Sequence, residues 1–334
     1  MSLKVGIVGA GSIGCYVGGA LILGGAEVHF LARPRMVDEL AEHGLTISDF
    51  RGLRHHIAAT SLNLHTEAAA LAAMDCLIVT VKSADTDTVA AQLADVVAPQ
   101  AAVVSLQNGI DNAERLCAAL PGRRVLAGMI AFNVLHRGQG CFHAGTDGAI
   151  MVEQRGVLSQ LGDYFSASGT PFEWQRDMRA VQWSKLLLNL NNPINALSGL
   201  PLKEELSQRA YRRCLALLQR EALMAIRAAG IPLLRLTAVP PAWLPRLLVL
   251  PDGVFRRLAQ PMLAMDPLAR SSMWEDLQRG RRTEIDWLNG EVIRLADQQG
   301  TPAEANRRLV ALVKAAEQGG RRDYRGEELL ALLS

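Results

Sequence analysis

The chain has 334 residues, of which 49% are hydrophobic and 20% charged, so it is long enough for two domains and has an ordinary globular composition. Its 35 lysines and arginines nearly balance 33 acidic residues, and the net charge of +2 argues against a nucleic acid or a membrane surface as partner. The five cysteines lack metal-ligand or redox-motif spacing, which predicts reduced thiols in a cytoplasmic protein. No apolar run reaches the ~18 residues of a membrane span.

A glycine pattern near the start of the chain predicts a dinucleotide-binding site. A β-branched run at 4–8 is followed by G-A-G-S-I-G, a helical pattern to Leu23 and a second strand at 27–32. In this setting the first glycine permits the turn, the second lets a pyrophosphate approach the backbone, and the third lets helix and strand pack closely. A glycine turn without a ligand is the alternative, but we expect the phosphates at the helix N-terminus. The residues predicted to bind the cofactor here are Gly9, Ala10, Gly11, Ser12, Ile13 and Gly14.

The end of the second strand indicates which dinucleotide binds. NAD sites usually place Asp or Glu there, where the carboxylate bonds the ribose 2′-hydroxyl. This chain has L-A-R-P-R at 31–35, with two arginines and no acid. Because a guanidinium suits a 2′-phosphate, Arg33 predicts NADPH as the cofactor, the alternative being that Arg33 and Arg35 are only surface charges.

The next strands end in polar residues. They are predicted at 75–82, 101–106 and 124–131, with alanine-rich helical segments between them, as a doubly wound parallel sheet requires. Ligands bind at the carboxyl ends of such strands, which makes Lys82 and Asn108 candidate site residues. The alternatives are a solvated lysine after a buried strand and an ordinary Asn-Gly turn.

The second half of the chain has a different character. Edge strands are expected at 132–153 and 171–175, and long helical patterns follow at 178–192, 203–229 and 272–299. The proline-rich segment 233–270 is a candidate lid. The predicted fold class is α/β. A Rossmann-type, doubly wound parallel sheet that binds NADP (1–176) precedes an all-α substrate and catalytic domain (177–334).

A polar row crosses the first of these helical patterns. Apolar residues occupy all sides of 181–192, which predicts a buried helix. Gln182, Lys185, Asn189 and Asn192 nevertheless step by three, four and three residues and so share one row. Because a lysine is rarely buried unless its charge is used or paired, the row predicts a cavity that holds a polar ligand. The alternative is the solvent-facing stripe of an amphipathic helix.

An acid in the last long pattern is a candidate partner for that lysine. Glu284 falls in line with Leu288 and Leu295, on the edge of the apolar face. An inward-pointing carboxylate is unfavourable unless it meets a cation or a ligand, and Lys185 is a candidate cation. Ser272 has two equally weighted interpretations, a site residue or the first residue of a capping box with Glu275.

Taken together, these residues resemble the ketopantoate reductases (2-dehydropantoate 2-reductases). The matching blocks are G-A-G-S-I-G at 9–14, Arg33, V-K-S at 81–83, Q-N-G at 107–109, W-S-K-L-L-L-N-L-N-N-P at 183–193 and S-S-M-W-E-D-L-Q-R-G-R-R-T-E-I-D at 271–286. The resemblance implies NADPH-dependent reduction of ketopantoate to pantoate, in the pathway to pantothenate and coenzyme A. It also implies a Rossmann domain and a helical domain like that of phosphogluconate dehydrogenase, with the active site in the cleft between them.

The resemblance also implies a role for each matching residue. Lys185 looks like the family's catalytic lysine and Glu284 like its catalytic-site acid. Lys82 and Asn108 match residues that line the nicotinamide side of the cleft, and Asn108 is assigned to both cofactor and substrate.

Substrate-binding positions match less well. Asn189 and Ser272 match such positions, and Asn192 is taken as the second asparagine, although Asn191 could take that role because the spacing is one residue shorter than in better-known members. A further substrate-binding asparagine has no clear match after Pro193, and the segment 233–270 is longer than in compact members.

Two competing functions stay open at this stage. One is a reductase of the same fold that acts on another 2-keto or 3-hydroxy acid, and the other is a non-catalytic NADPH-binding regulator. A buried lysine and glutamate argue against the regulator, since a sensor needs neither. The expected partner is a small-molecule 2-keto acid, and a homodimer stays open.

Overall fold

The computed structural model describes residues 2–154, 156, 158–260 and 266–334. They divide into two units, Met1–Met178 and Arg179–Ser334. The assignment of NADP binding to 1–176 and of substrate chemistry to 177–334 stays a prediction. Residues 261–265 of the candidate lid lie outside the described residues, and the lid itself also stays a prediction. Among the helices that are described, none is both long and apolar enough to cross a bilayer.

The first unit is built on a large sheet. Its strands and those of a smaller sheet are β1 Lys4–Val8, β2 Glu27–Leu31, β3 Leu45–Asp49, β4 Arg54–Ile57, β5 Asn63–His65, β6 Cys76–Val79, β7 Ala102–Ser105, β8 Arg124–Ile130, β9 Val134–His136, β10 Cys141–Ala144, β11 Ile150–Glu153 and β12 Phe172–Gln175. Among the described residues, eight strands form the large sheet in the order β12-β11-β8-β7-β6-β1-β2-β5. Within this order, the six strands β8, β7, β6, β1, β2 and β5 run parallel to one another. Strand β11 is antiparallel to β8, and β12 is parallel to β11.

Helices cover both faces of this sheet. They are α1 Ser12–Leu23, α2 Pro34–His43, α3 Thr86–Ala94, α4 Asn112–Ala119 and α5 Leu161–Ala167. Because side chains alternate along a strand, Cys76 and Ile78 of β6 join one apolar cluster with α1, whereas Leu77 and Val79 join another with α3 and α4. Two apolar cores, one on each face, are what a doubly wound sheet requires.

A second sheet in this unit was not predicted. Its order is β4-β3-β10-β9, with β10 parallel to β3 and the other pairs antiparallel. Leu45, Ile47 and Phe142 are fully buried in the same apolar cluster as α1, which accounts for these short strands. The predicted edge strands at 132–153 therefore divide. β9 and β10 belong to the small sheet, whereas β11 extends the large one.

The second unit contains helices and, among its described residues, no strand. Its helices are α6 Met178–Asn189, α7 Asn191–Ser198, α8 Leu202–Ser207, α9 Arg209–Ala228, α10 Leu244–Leu248, α11 Asp252–Leu258, α12 Ser272–Gln278, α13 Ile285–Gln299, α14 Glu304–Glu317 and α15 Gly326–Leu333. The long helix α9 is central, and α7, α8, α10, α13, α14 and α15 pack against it. The predicted fold class, a doubly wound parallel sheet followed by an all-α domain, is confirmed.

Each of the three long helical patterns is broken, so the prediction of continuous helices was wrong. The first breaks at Leu190, because Pro193 has no N–H to donate to the Asn189 carbonyl. The second breaks at Gln208, where the backbone is extended. The third breaks after α12, where Gly280 has φ +60° and its N–H donates to the Leu277 carbonyl, a common way for a helix to end.

Candidate active site

The glycine turn between β1 and α1 has the shape that a pyrophosphate needs. Gly9 has φ +95°, and a Cβ placed on Gly14 would lie 2.4 Å from the Gly9 carbonyl oxygen, so both glycines are required by the fold itself. Gly11 is different, because its φ is −86° and a Cβ there would meet no atom within 4 Å. The fold does not require glycine at 11, so the open space beside it fits a ligand that approaches the backbone.

The strand ends that flank this turn lie level with it. Val8 pairs with Leu31 on one side and with Val79 on the other, and Val79 pairs with Ser105. Thr80, just after β6, donates from its hydroxyl to the Gly9 carbonyl at 2.7 Å and so ties the turn to the neighbouring strand. The residues that follow β1, β2, β6 and β7 therefore share one edge of the sheet.

Arg33 lies on this edge, as the sequence predicts. It precedes α2, and its side chain is 85% exposed. Its Nη2 atom is 3.3 Å from Oδ2 of Asp85, which ends the short 3₁₀ turn Ser83–Asp85 after β6. The guanidinium is thus reachable by a ligand but already paired with a carboxylate from a different strand end.

Lys82 and Asn108 are held at the adjacent strand ends. Lys82 is partly buried and immediately precedes the 3₁₀ turn. The Asn108 main-chain oxygen accepts hydrogen bonds from Ser83 Oγ at 2.8 Å and from Asn112 Nδ2 at 2.5 Å. The backbone at Asn108 is therefore locked to the turn that begins at Ser83.

Next to these residues lies a buried polar network that the sequence did not predict. Gln107 Nε2 donates to the Val81 carbonyl at 3.0 Å and to Thr86 Oγ1 at 2.8 Å, and Thr86 Oγ1 donates to Asn112 Oδ1 at 2.9 Å. Gln107, Thr86 and Asn112 are all buried. Polar residues directly after apolar strands were a weak signal for this network, but the pairings between them depend on the tertiary fold.

In the second unit, Lys185 and Glu284 interact electrostatically. Lys185 lies on α6 and keeps only part of its surface exposed. Burial lowers the pKa of Lys185 from 10.5 to about 8, against the charge of Glu284, which raises it. A fully solvated helix stripe would not lower this pKa, and the ligand-binding role of Lys185 stays a prediction.

Glu284 lies in a different local setting from the one expected. It precedes α13 rather than sitting inside a helix, and its carbonyl accepts from the Trp287 N–H at 3.0 Å. Glu284 therefore stands one turn before Leu288, at the start of the helix and not within it, and its charge acts on Lys185.

The two candidate asparagines after α6 differ in what they contact. Asn191 is buried, and its Nδ2 donates to Glu205 Oε2 at 3.3 Å. Asn192 is partly exposed, and its carbonyl accepts from Ser271 Oγ at 3.0 Å. The Asn191 side chain is engaged within the unit, which favours Asn192 for the substrate. Because the helix breaks at Leu190, Asn192 lies on α7 and not in the same helical row as Lys185 and Asn189.

Ser272 does not form the capping box. Ser271 precedes α12 instead, and its hydroxyl accepts from the Trp274 N–H at 3.1 Å. Ser272 is exposed, whereas Ser271 is buried. Its substrate-binding role stays a prediction.

Glu205 is a further buried group that the sequence did not indicate. It is fully buried, and burial raises its pKa from 4.5 to about 8 although Asn195 and Asn191 donate to it. In the run L-K-E-E-L-S nothing distinguishes this acid from its exposed neighbour Glu204.

Comparisons with known proteins place these features in context. The family model "Ketopantoate reductase PanE/ApbA" matches residues 5–156, and "Ketopantoate reductase PanE/ApbA C terminal" matches residues 177–317. The 2-dehydropantoate 2-reductase of Archaeoglobus fulgidus is 30% identical over 326 residues, 95% of this chain and 98% of that protein. Its counterpart from Pyrococcus horikoshii is 27% identical over 329 residues, 95% of this chain and 99% of that protein.

Solved structures agree with these sequence matches. A PanE/ApbA family ketopantoate reductase from Ralstonia eutropha JMP134 is 31% identical with a TM-score of 0.79, covering 95% of this chain and 99% of that one. A D-mandelate dehydrogenase solved in complex with NADH has a TM-score of 0.76 at 20% identity, covering 95% of this chain and 99% of that one, and this likeness concerns the fold alone.

Proposed function

The chain belongs to the ketopantoate reductase family, and we propose that it reduces ketopantoate to pantoate with NADPH, in pantothenate and coenzyme A biosynthesis. The resemblance drawn from the sequence motifs is thereby confirmed. Membership of the family makes the chain a pyridine-nucleotide-dependent oxidoreductase that acts on a CH–OH group, so the hypothesis of a non-catalytic regulator is set aside. The single observation that carries the proposal is Lys185, whose pKa is lowered to about 8 beside Glu284.

The residues of the first unit are proposed to hold the nucleotide. The turn Gly9 to Gly14 takes the pyrophosphate at the N-terminus of α1, whose first turn carries no acidic side chain among its described residues. Arg33 takes the 2′-phosphate, while Lys82 and Asn108 lie on the nicotinamide side. Bound NADPH supplies the hydride for the ketone carbon.

Lys185 is proposed to protonate the developing alkoxide. Negative charge builds on the carbonyl oxygen as the ketone is reduced, and an ammonium with a pKa near neutral can both stabilise that charge and give up its proton. Glu284 raises the lysine pKa and so keeps more of it protonated at neutral pH. We also assign to Glu284 a contact with a substrate hydroxyl.

The keto acid itself is proposed to be oriented by amides. Asn189 lies four residues after Lys185, on the same side of α6, and Asn192 follows on α7. Ser272 completes the proposed set. An acceptor and donor pair on each amide can fix the carboxylate and hydroxyl of a 2-keto acid near the lysine.

The decisive assay is NADPH oxidation by the purified chain with a panel of 2-keto acids, accompanied by NADP⁺ reduction with a panel of 3-hydroxy acids. We expect kcat/KM for ketopantoate to exceed that for each other acid by at least about tenfold, since discrimination by several placed polar groups reaches this scale. A higher kcat/KM with another acid would assign the chain to a different reductase of the same family. Light scattering on the same preparation tests whether the chain forms a homodimer, which the sequence leaves open.

A further inference from the structure

The ion pair between Arg33 and Asp85 bears directly on the choice of cofactor. Arg33 follows β2 and Asp85 follows β6, and these two strands flank β1, which leads into the glycine turn. The pair joins residues 52 apart in the chain at the edge where the nucleotide is proposed to bind. The residues L-A-R-P-R at 31–35 include no acid, but the fold brings Asp85 to Arg33.

We propose that Asp85 sets the selectivity between NADPH and NADH by competing with the 2′-phosphate for Arg33. This inference rests on the proposed function, in which Arg33 binds that phosphate. A guanidinium held by a carboxylate must leave it or share it when a phosphate arrives, so part of the favourable contact with the phosphate is lost. Asp85 therefore weakens the binding of NADPH.

The affinity for NADH should not be affected by this competition. NADH has a hydroxyl in place of the phosphate, so it brings no anionic group that would compete with Asp85 for the Arg33 guanidinium. Loss of the Asp85 charge should shift the balance towards NADPH only.

The size of the effect follows from exposure. The Asp85 side chain is 46% exposed and that of Arg33 85%, so solvent and salt screen their interaction. For exposed charges of this kind we expect Asp85→Asn to lower the Kd for NADPH by about threefold to tenfold at low salt, and by less as salt is added. The Kd for NADH should stay within about twofold.

The test is calorimetric titration of the full chain with NADPH and, separately, with NADH, in the absence of any keto acid. Asp38→Asn is the matched control, because it removes the same charge from an exposed position on α2, five residues after Arg33. It should leave the ratio of the two dissociation constants unchanged. In an Arg33→Ala background, Asp85→Asn should no longer improve NADPH binding.

The outcomes separate the two proposals. If Arg33→Ala weakens NADPH binding but Asp85→Asn changes neither nucleotide, or both equally, the role of Asp85 is wrong and the cofactor assignment stands. An Asp85→Asn effect that persists without Arg33 also overturns the competition. If the unmodified chain does not bind NADPH, the proposed cofactor and the role of Asp85 are both wrong. If the chain binds NADPH but Arg33→Ala does not weaken that binding, the roles of Arg33 and Asp85 are wrong and the proposed cofactor stands.

Discussion

Asn195 on α7 donates a hydrogen bond of 2.9 Å to Glu205 on α8, and neither side chain is exposed. Asn191 donates to the same Oε2 atom, while Asn195 Oδ1 accepts from the Ser271 N–H at 2.9 Å. One buried acid therefore links α7, α8 and the start of α12. Asn192 and Ser272, both proposed to bind substrate, are neighbours in sequence of residues in this cluster.

The buried Glu205 predicts a pH-dependent stability. Its folded pKa of about 8 lies above the ordinary 4.5, so its contribution is fully present below pH 4.5 and is lost as pH rises through 8. Between these values the free energy of unfolding should fall by at most about 1.4 kcal/mol per pH unit from this group. Glu205→Gln, which resembles the protonated acid, should flatten that slope in urea denaturation. The exposed Glu204→Gln is the control, and equal slopes in both variants would refute the prediction.

Lys185→Ala should lower turnover by roughly 10²–10⁴, the scale for loss of a general acid. NADPH binding should persist, because the glycine turn and Arg33 belong to the first unit. In the unmodified chain, reductive turnover should decline above about pH 8 as Lys185 loses its proton. The measurement is single-turnover NADPH oxidation with saturating ketopantoate, with the exposed Lys203→Ala as control. A rate for Lys185→Ala within about threefold of the unmodified chain would remove the lysine from the mechanism.

Arg33→Ala should raise the Michaelis constant for NADPH by about tenfold, because a charge-assisted contact with the 2′-phosphate is lost. The constant for NADH should change little. Arg35→Ala is the control, since Arg35 is an exposed arginine two residues later, in the first turn of α2. Equal use of NADPH and NADH by the unmodified chain would contradict the proposed cofactor.

The two glycines at 11 and 14 should separate binding from folding. Gly11→Ala should leave the melting temperature nearly unchanged, since its Cβ meets no atom within 4 Å, yet weaken NADPH binding by blocking the pyrophosphate. Gly14→Ala should destabilise the fold by about 1–3 kcal/mol, because its Cβ would overlap the Gly9 carbonyl. Thermal denaturation and nucleotide titration measure the two effects. Unchanged NADPH affinity in folded Gly11→Ala would mean that the turn holds no pyrophosphate.

Asn189→Ala should weaken keto-acid binding and leave NADPH binding without substrate nearly unchanged. Asn189 lies on α6 with Lys185, whereas the proposed phosphate contacts all lie in the first unit. Steady-state kinetics should show a raised KM for ketopantoate, and calorimetry should show an unaltered Kd for NADPH. A large loss of NADPH affinity would show that α6 has been assigned to the wrong ligand.

The sequence by itself determined the beginning of the sheet and the fold class. β1, the glycine turn and α1 agree with the prediction because strand pairing, turn geometry and helix periodicity there depend on residues close together in the chain. The continuous apolar run of β6 and the change to helical patterns after about residue 175 are likewise local signals.

The tertiary structure alone decided which polar groups meet. Asp85 pairs with Arg33 from another strand end, and Gln107 donates a hydrogen bond to Thr86. Asn191 donates a hydrogen bond to Glu205, so Asn192 remains the candidate for substrate binding. The periodicity of apolar residues indicates which side of a helix or strand faces the core. It does not indicate which residue from a distant part of the chain packs against that side. A buried donor or acceptor must be satisfied by whatever group the fold brings to it, and that group is set by the packing of the whole unit.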